Sequence, residues 1–188
     1  MNKKIVLVLL VLGVVVLSGC SQKPDEVPKS PLTKHMGPSG EFSISYPSNF
    51  IRNKLKESDL MLVWFDGPSL QKGLVRVKPT FFVAKDNKKS LTLKEIRDQT
   101  LDESNVILDE GEGKLNNFET MSTILTFTGE IMVEGLEEPI PVPFKAFQFL
   151  LSDPQSDNFY QIQYTFTEAD FDTYLPLIED ATETFTVS

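Results

Sequence analysis

The sequence predicts an α+β domain in which an antiparallel sheet is flanked by two helices. Apolar and polar residues alternate, as in strands, in several segments between residues 41 and 166. Connections of hairpin length join the segments after residue 104, and such connections favour antiparallel pairing. Two further segments have helical spacing of apolar residues, and both must bury that stripe against the sheet.

The first strands are predicted before residue 84. Residues 42–46 alternate strictly and meet Pro47, which ends the strand. Residues 60–65 (LMLVWF) form a continuous apolar run, which is typical of a strand buried on both faces. This interpretation makes Trp64 a core residue rather than a platform for stacking a ligand. Residues 74–84 form the next strand region, where Pro79 marks a bulge or an edge.

A helix and a hairpin are predicted next. Thr92 and Glu95 match a capping box, so a helix begins there and presents a narrow stripe of apolar residues. A short strand over 106–108 and a longer one over 118–127 follow, with a turn at 115–117 because Asn tolerates positive φ. Residues 111–113 (GEG) lack the rest of a phosphate-binding loop, so the glycines predict another turn.

The last part of the chain predicts two strands and a helix. An acidic loop over 130–143 precedes strands at 144–151 and 159–166, which are joined by residues 152–157. A helix starts after Thr167 with acids in its first turns, the favourable end of the helix dipole. Its buried stripe consists of Phe171, Tyr174, Leu175, Ile178 and Ala181. Pro176 predicts a kink or a restart within this helix.

The amino terminus carries a targeting signal. Lys3 and Lys4 precede a thirteen-residue apolar run at 5–17, too short for a spanning helix but typical of a signal peptide. Residues 17–20 (LSGC) resemble a bacterial lipobox, in which the cysteine thiolate accepts diacylglycerol before cleavage. We therefore predict a lipoprotein signal peptide at 1–19 and lipidation of Cys20. The alternatives are an ordinary secretory signal with an incidental cysteine, or an uncleaved anchor helix.

A proline-rich tether is predicted at 20–40, followed by one globular domain at 41–188. His35 lies within this tether, where a lone histidine is expected to be solvated. The chain has 18 basic and 27 acidic residues, a net charge of −9. Cleavage would remove Lys3 and Lys4, which leaves 16 basic residues and a charge of −11. Anionic lipid would repel such a protein, so we expect the acyl chains to hold it without a polybasic patch.

Composition excludes several functions. The acidic balance argues against nucleic-acid binding. One Cys and one His exclude a disulfide framework and most triads and zinc sites, and no G-x-S-x-G motif is present. Acids at 109–112 and 134–138 could supply oxygen ligands to Ca²⁺, but neither cluster has calcium-loop spacing. We interpret both as solvated loops, the second of which includes Glu134, Glu137 and Glu138. No cofactor, metal site or catalytic residue is predicted.

Three segments resemble the PsbP and DcrB-like family. Residues 41–50 (EFSISYPSNF) are similar to its opening strand, 111–129 to its central hairpin, and 174–185 to its closing helix. Phe50 stands where members often have Trp, and Asn117 where they often have Gly. The resemblance covers roughly 41–188 and implies an αβα sandwich around an antiparallel sheet, with accessory or assembly roles rather than catalysis.

Together these features predict a bacterial lipoprotein with a PsbP/DcrB-like domain, anchored in the cell membrane and facing outside the cytoplasm. Its expected role is that of a non-catalytic accessory or binding module for an envelope protein or a small ligand. The alternative is a hydrolase of cell-envelope polymer that uses two carboxylates.

Overall fold

The structure, a computed structural model, describes residues 31–37, 40–58, 60–72, 75–87, 91–133, 135–153 and 156–188. In chain order the strands are β1 (Leu32–Met36), β2 (Phe42–Pro47), β3 (Ile51–Arg52), β4 (Met61–Asp66), β5 (Leu70–Lys72), β6 (Val75–Val77), β7 (Thr80–Asn87), β8 (Val106–Leu115), β9 (Phe118–Ile131), β10 (Ile140–Ser152), β11 (Asn158–Thr167) and β12 (Thr186–Val187). A 3₁₀ turn spans Lys54–Lys56, and the α-helices are α1 (Leu93–Thr100) and α2 (Glu168–Glu183).

Seven strands form the central sheet in the order β3-β4-β7-β11-β10-β9-β8, and every pairing is antiparallel. A small sheet of order β1-β2-β12 and the β5-β6 hairpin complete the strands. The predicted α+β class with an antiparallel sheet is confirmed. β3 and β8 are the two edges of the central sheet, and each contributes to a surface described below.

The two helices cover opposite faces of the central sheet. Leu150 packs with Ile96 of α1, whereas its neighbour Leu151 belongs to the main core with Phe171 of α2. Because adjacent strand residues point to opposite faces, α1 and α2 form outer layers on either side of the sheet. The α2 layer also contains β2, whose Phe42 and Ile44 are fully buried in that core. This is the expected αβα sandwich.

Both helices begin where the sequence places them. The capping box of Thr92 and Glu95 is present, with each side chain bonded to the other's backbone N–H. α2 begins after Thr167, and it continues through Pro176 without a restart. Because proline has no N–H, the carbonyl of Asp172 loses its usual helical donor at this exposed turn. The packing of Tyr174 and Ile178 on either side holds the helix together there.

Two strand predictions are corrected. In β4 only Val63 and Phe65 are buried, so the apolar run covers one face and the prediction of two buried faces is wrong. Trp64 points to the other face and is half-buried, outside the core. The strand predicted at 106–108 extends to Leu115, and residues 111–113 lie inside it rather than in a turn. The turn at Asn116 is confirmed, with φ of 55°.

Strand β10 begins within the segment predicted as an acidic loop. The expected loop at 130–143 is shorter, because β9 continues to Ile131 and β10 begins at Ile140. Ile131, Ile140 and Phe144 pack against Val75 and Val77 of the β5-β6 hairpin. That apolar contact extends the pairing of β9 with β10 beyond the predicted ends.

The predicted tether is also partly wrong. Its last part forms β1, which pairs antiparallel with β2 from Leu32 opposite Pro47 to Met36 opposite Ser43. The globular part therefore includes residues before 41, because β2 offers a free edge that an extended, proline-flanked segment can pair with. The predicted signal peptide and residues 20–30 of the tether, which include Cys20, lie outside the described residues, as do residues 38 and 39. Neither helix of the described part is long and apolar enough to span a membrane.

Candidate functional site

An open groove lies between α2 and the strands of the β8 edge. Its floor consists of Phe147 and Phe149, whose rings stack with centroids 6.2 Å apart. One wall is the last part of α2, and the other is formed by β8 and β9, which together enclose about 400 Å³. The groove exists because α2 packs mainly over β10, β11 and β2 rather than over β8. Part of this sheet face therefore remains open.

Two glycines keep the outer wall of the groove bare. Gly111 lies opposite Ser122 and Gly113 lies opposite Thr120, so both glycines share the face of the groove. Glu110 and Glu112 alternate with them and point to the α1 side. There the guanidinium of Arg97, a buried residue of α1, donates to the carboxylate of Glu110. The acidic cluster predicted as a loop is thus divided between two faces of a strand.

The rim of the groove is acidic. Glu179, Asp180 and Glu183 line the α2 wall, and Lys114 is the basic residue on the opposite wall. The three acids are exposed, whereas the aromatic floor lies deeper. We call this site the acidic groove. Its chemistry suits a ligand with apolar groups for the floor and positive charge for the rim.

A second surface lies at the β3 edge and has the opposite charge. Arg52, Lys54 and Lys56 follow one another closely in residues 51–56, and Lys78 faces the same concavity of about 540 Å³. Ile51 and Leu55 project from this segment with 75% and 97% of their surface exposed. We call residues 51–56 together with Lys78 the basic corner.

A polar network around Asp66 supports the basic corner. Trp64 Nε1 donates to one Asp66 carboxylate oxygen and Asn53 Nδ2 to the other, both at 2.9 Å. Lys56 Nζ lies 4.3 Å above the Trp64 ring and 3.6 Å from Asp66. Burial raises the pKa of Asp66, but the two hydrogen bonds and the charge of Lys56 outweigh it, so the pKa is lowered. The carboxylate therefore stays ionised and fixes the corner.

Trp64 stacks on a neighbouring strand rather than in the core. Its ring lies on Phe82 with centroids 5.2 Å apart and an interplanar angle of 12°. Lys56 Nζ also lies above the indole, so the ring is in contact with side chains of the protein itself. Trp64 is therefore a structural support of the basic corner.

His35 lies in an aromatic cluster and not in solvent, which corrects the prediction from the tether. Its ring packs edge-on against Phe65 at 5.5 Å and lies near Phe42 and Tyr46. Its Nε2 is buried with no hydrogen-bond partner. Burial lowers the pKa of His35, as does the charge of Arg52, against the opposing effect of Glu57. The histidine thus joins β1 to the core beside the basic corner.

The described ranges hold no group of three or more His, Cys, Asp or Glu side chains arranged to bind a metal ion. Cys20, the one site residue predicted from the sequence, lies outside them. Sequence reasoning missed both surfaces. The alternation in residues 110–113 carried a signal for the groove, because glycine at every second position of a strand leaves one face bare. The same glycines also predict a turn, since glycine is common in turns, and the two predictions cannot be separated from the sequence.

Comparison with known proteins identifies the fold. No protein-family model matches the chain, and no curated protein matches it in sequence. Solved structures do match. The Ran-binding protein Mog1p from Saccharomyces cerevisiae superposes with a TM-score of 0.58 at 12% identity, covering 83% of this chain and 95% of that chain.

Two bacterial structures show the same likeness. The cyanobacterial PsbP protein from Synechocystis has a TM-score of 0.52 at 13% identity, covering 92% of this chain and 99% of that one. PA94 from Pseudomonas aeruginosa has a TM-score of 0.52 at 12% identity, covering 84% of this chain and 97% of that one. The chain therefore has the fold shared by Mog1p and PsbP, as the sequence resemblance implied.

Proposed function

We propose that this chain is a lipid-anchored lipoprotein outside the cytoplasm whose domain binds an envelope protein without catalysing a reaction. The anchor is supported by the short apolar run and by Cys20 after small residues. A role in binding is supported by the fold, since one neighbour is a Ran-binding protein. Fold likeness alone is a weak guide to function, so the proposal depends on the acidic groove.

The observation that carries the proposal is the open aromatic floor of the acidic groove. Phe149 is only half-buried and is stacked on Phe147, so a partner side chain would bury apolar surface already held in place. The bare wall at Gly111 and Gly113 lets a partner backbone approach closely. The acids of α2 then favour a partner that presents Lys or Arg around an apolar side chain.

The anchor is tested with Cys20→Ser in cells grown with labelled palmitate. We expect the parent chain to incorporate the label and the variant to incorporate none, because the thiol that accepts the lipid is missing. Label on the variant would show that the lipid is attached elsewhere, and the assignment of residues 17–20 would fail.

The groove is tested by photo-crosslinking in intact cells from a reactive residue placed at Ser122. The decisive comparison is Gly113→Thr with Glu112→Thr, which place the same side chain on opposite faces of β8. We expect Gly113→Thr to abolish the Ser122 crosslink, because its side chain occupies the groove wall. Glu112→Thr should leave the crosslink intact. Equal crosslinking in both variants would exclude the groove as the binding site.

The hydrolase alternative has its own assay. The purified chain is incubated with peptidoglycan and with ester substrates, and we expect no turnover. A rate abolished by a single substitution such as Glu179→Gln or Glu183→Gln would replace the binding proposal, because it would show that a groove carboxylate is catalytic.

A further inference from the structure

The described chain begins next to the basic corner. The carbonyl of Pro31 accepts a hydrogen bond of 3.0 Å from the backbone N–H of Ser48, and Leu32 pairs with Pro47. Three residues after Ser48, β3 begins at Ile51. The segment that leads back to Cys20 therefore enters the domain beside residues 51–56.

The segment between Cys20 and Pro31 is short, which limits how far the domain can move from a lipid on Cys20. Residues 21–30 separate Cys20 from Pro31, and a chain of that length spans at most about 40 Å when fully extended. A lipid on Cys20 would thus keep Pro31, and with it the basic corner, close to the bilayer. The effective concentration of the corner at the membrane surface is then high, and a weak contact suffices to dock it.

The corner presents apolar side chains that the fold does not use. Leu55 is the middle residue of the 3₁₀ turn and is 97% exposed, and Ile51 is 75% exposed. The turn is held by the side chain of Asn53, which accepts from the Leu55 N–H at 3.2 Å. Leu55 is therefore held outward by a preformed turn.

Positive charge surrounds these apolar groups. Lys54 and Lys78 are exposed and line the same concavity as Leu55 and Asp66. Arg52 donates from Nε to Glu57 at 2.7 Å, and this pair braces the turn at its base. Apolar side chains next to exposed lysines match the chemistry of an anionic lipid surface, with head groups for the ammonium groups and an interface for the leucine.

The acidic groove lies diagonally across the sheet from this corner. The corner is at the Asp66 end of β4, and the groove is at the Thr120 end of β9. The register aligns Asp66 with Thr80, and Thr120 with Leu151 and Tyr160 at the far ends of their strands. Anionic lipid would attract the corner and repel the groove, so the charges of the domain favour one orientation.

We propose that the basic corner docks on anionic phospholipid, with Ile51 and Leu55 entering the interface and Lys54 and Lys78 contacting the head groups. This inference rests on the proposed anchor at Cys20. Docking holds the acidic groove away from the bilayer, where a partner can reach it. It also replaces the expectation that the acyl chains act without a basic patch.

The test uses the lipidated protein in vesicles. An environment-sensitive fluorophore is attached at position 55 of the Leu55→Cys variant. The control is Leu60→Cys, another exposed leucine, placed at the opposite end of β4. With phosphatidylcholine mixed with phosphatidylglycerol, we expect a blue-shifted emission for the Leu55 position and none for Leu60. An aqueous spectrum at both positions, or equal shifts with phosphatidylcholine alone, would overturn the proposal.

The role of the lysines is tested by comparing variants that have the same net charge. Lys54→Gln and Lys78→Gln are each compared with Lys94→Gln, which removes the same charge from an exposed position elsewhere. We expect the equilibrium constant of docking to fall about fivefold for Lys54→Gln and for Lys78→Gln but not for Lys94→Gln, and added salt to weaken docking of the parent chain. An equal effect of Lys94→Gln would show that total charge, not the corner, matters.

The anchor and the docking fail in different ways. Palmitate incorporation reports the anchor on the same preparation. A chain without lipid whose Leu55 probe responds to added phosphatidylglycerol vesicles would overturn the anchor and retain the docking surface. A lipidated chain with an unresponsive probe would overturn the docking alone.

Discussion

The basic corner and the acidic groove lie at opposite edges of one sheet and differ in how they are built. The corner consists of the short edge strand β3 and the 3₁₀ turn after it, which expose Ile51 and Leu55. The groove is a recess left where α2 ends short of β8. Strands lie about 4.8 Å apart, so β3 and β8 are separated by about 29 Å across the sheet. The two surfaces are therefore separate sites.

The difference shows that net charge does not describe either surface. The chain carries −9 in total, yet residues 51–56 contain three basic residues and no acid. The acids of α2 and of β8 collect at the other edge. A composition argument predicts uniform repulsion from anionic lipid, whereas the fold separates the charges and gives the domain a direction.

The largest expected effect is a loss of stability, which should be greater for a substitution beneath the basic corner than for one in the floor of the acidic groove. Phe65, 1% exposed, stacks on Tyr46 at 4.0 Å and on Phe81 under the basic corner. Phe65→Ala should therefore lower the free energy of unfolding by about 3–5 kcal/mol. Phe149→Ala, at the half-buried groove floor, should lower it by less. Urea denaturation measures both, and equal losses would make the groove floor part of the core.

A smaller effect concerns pH at the base of the corner. Burial lowers the pKa of His35 from its ordinary 6.5, so the unfolded chain binds a proton more readily than the folded one. The contribution of neutral His35 to the free energy of unfolding is then fully present above pH 6.5. It falls as the pH decreases toward the lower pKa of the folded state. Arg52 strengthens this effect, whereas Glu57 opposes it.

The measurement is the unfolding free energy of the parent chain and of His35→Gln across that pH window. We expect a decrease toward acid pH in the parent and a flatter profile in the variant. The control is the same comparison above pH 7, where neither chain should show a slope from this residue. Identical slopes in both chains between pH 6.5 and 5 would mean that His35 is not coupled to folding.

Much of the fold was predictable because local patterns and tertiary packing agree. The capping box at Thr92, the turn at Asn116 and the start of α2 each depend on residues within one turn of chain. β1 was missed because its sequence, LTKHM, has little apolar character and its strand state comes from pairing with β2. Pairing across the chain leaves no local signal.

The functional surfaces were less predictable for the same reason. The acidic groove brings Gly113 of β8 near Glu179 of α2, 66 positions later in the chain, and no pattern in either segment shows that they meet. Leu55 is exposed on the 3₁₀ turn and Ile51 on the edge strand β3, which their sequence spacing does not reveal. Trp64 lay in an apolar run that suggested full burial, yet alternation placed it on the half-covered face.

The smallest expected effect is at the acidic loop between β9 and β10. Glu137 and Glu138 are exposed there. They lie at the same end of the sheet as the basic corner, but β7 and β11 separate β10 from β4. Glu137→Ala with Glu138→Ala should change the free energy of unfolding by less than about 0.5 kcal/mol, since exposed charges contribute little.

Docking should change equally little in this double variant. Three strand spacings separate β4 from β10, about 14 Å, and charge is screened over about 10 Å at 0.1 M salt. The Leu55 probe should thus report the same docked fraction with and without the two acids, while Lys54→Gln with Lys78→Gln lowers it. A marked rise in docking after removal of the loop acids would contradict this separation. It would mean that the membrane contact extends along this whole end of the central sheet. The basic corner would then not be a local docking surface.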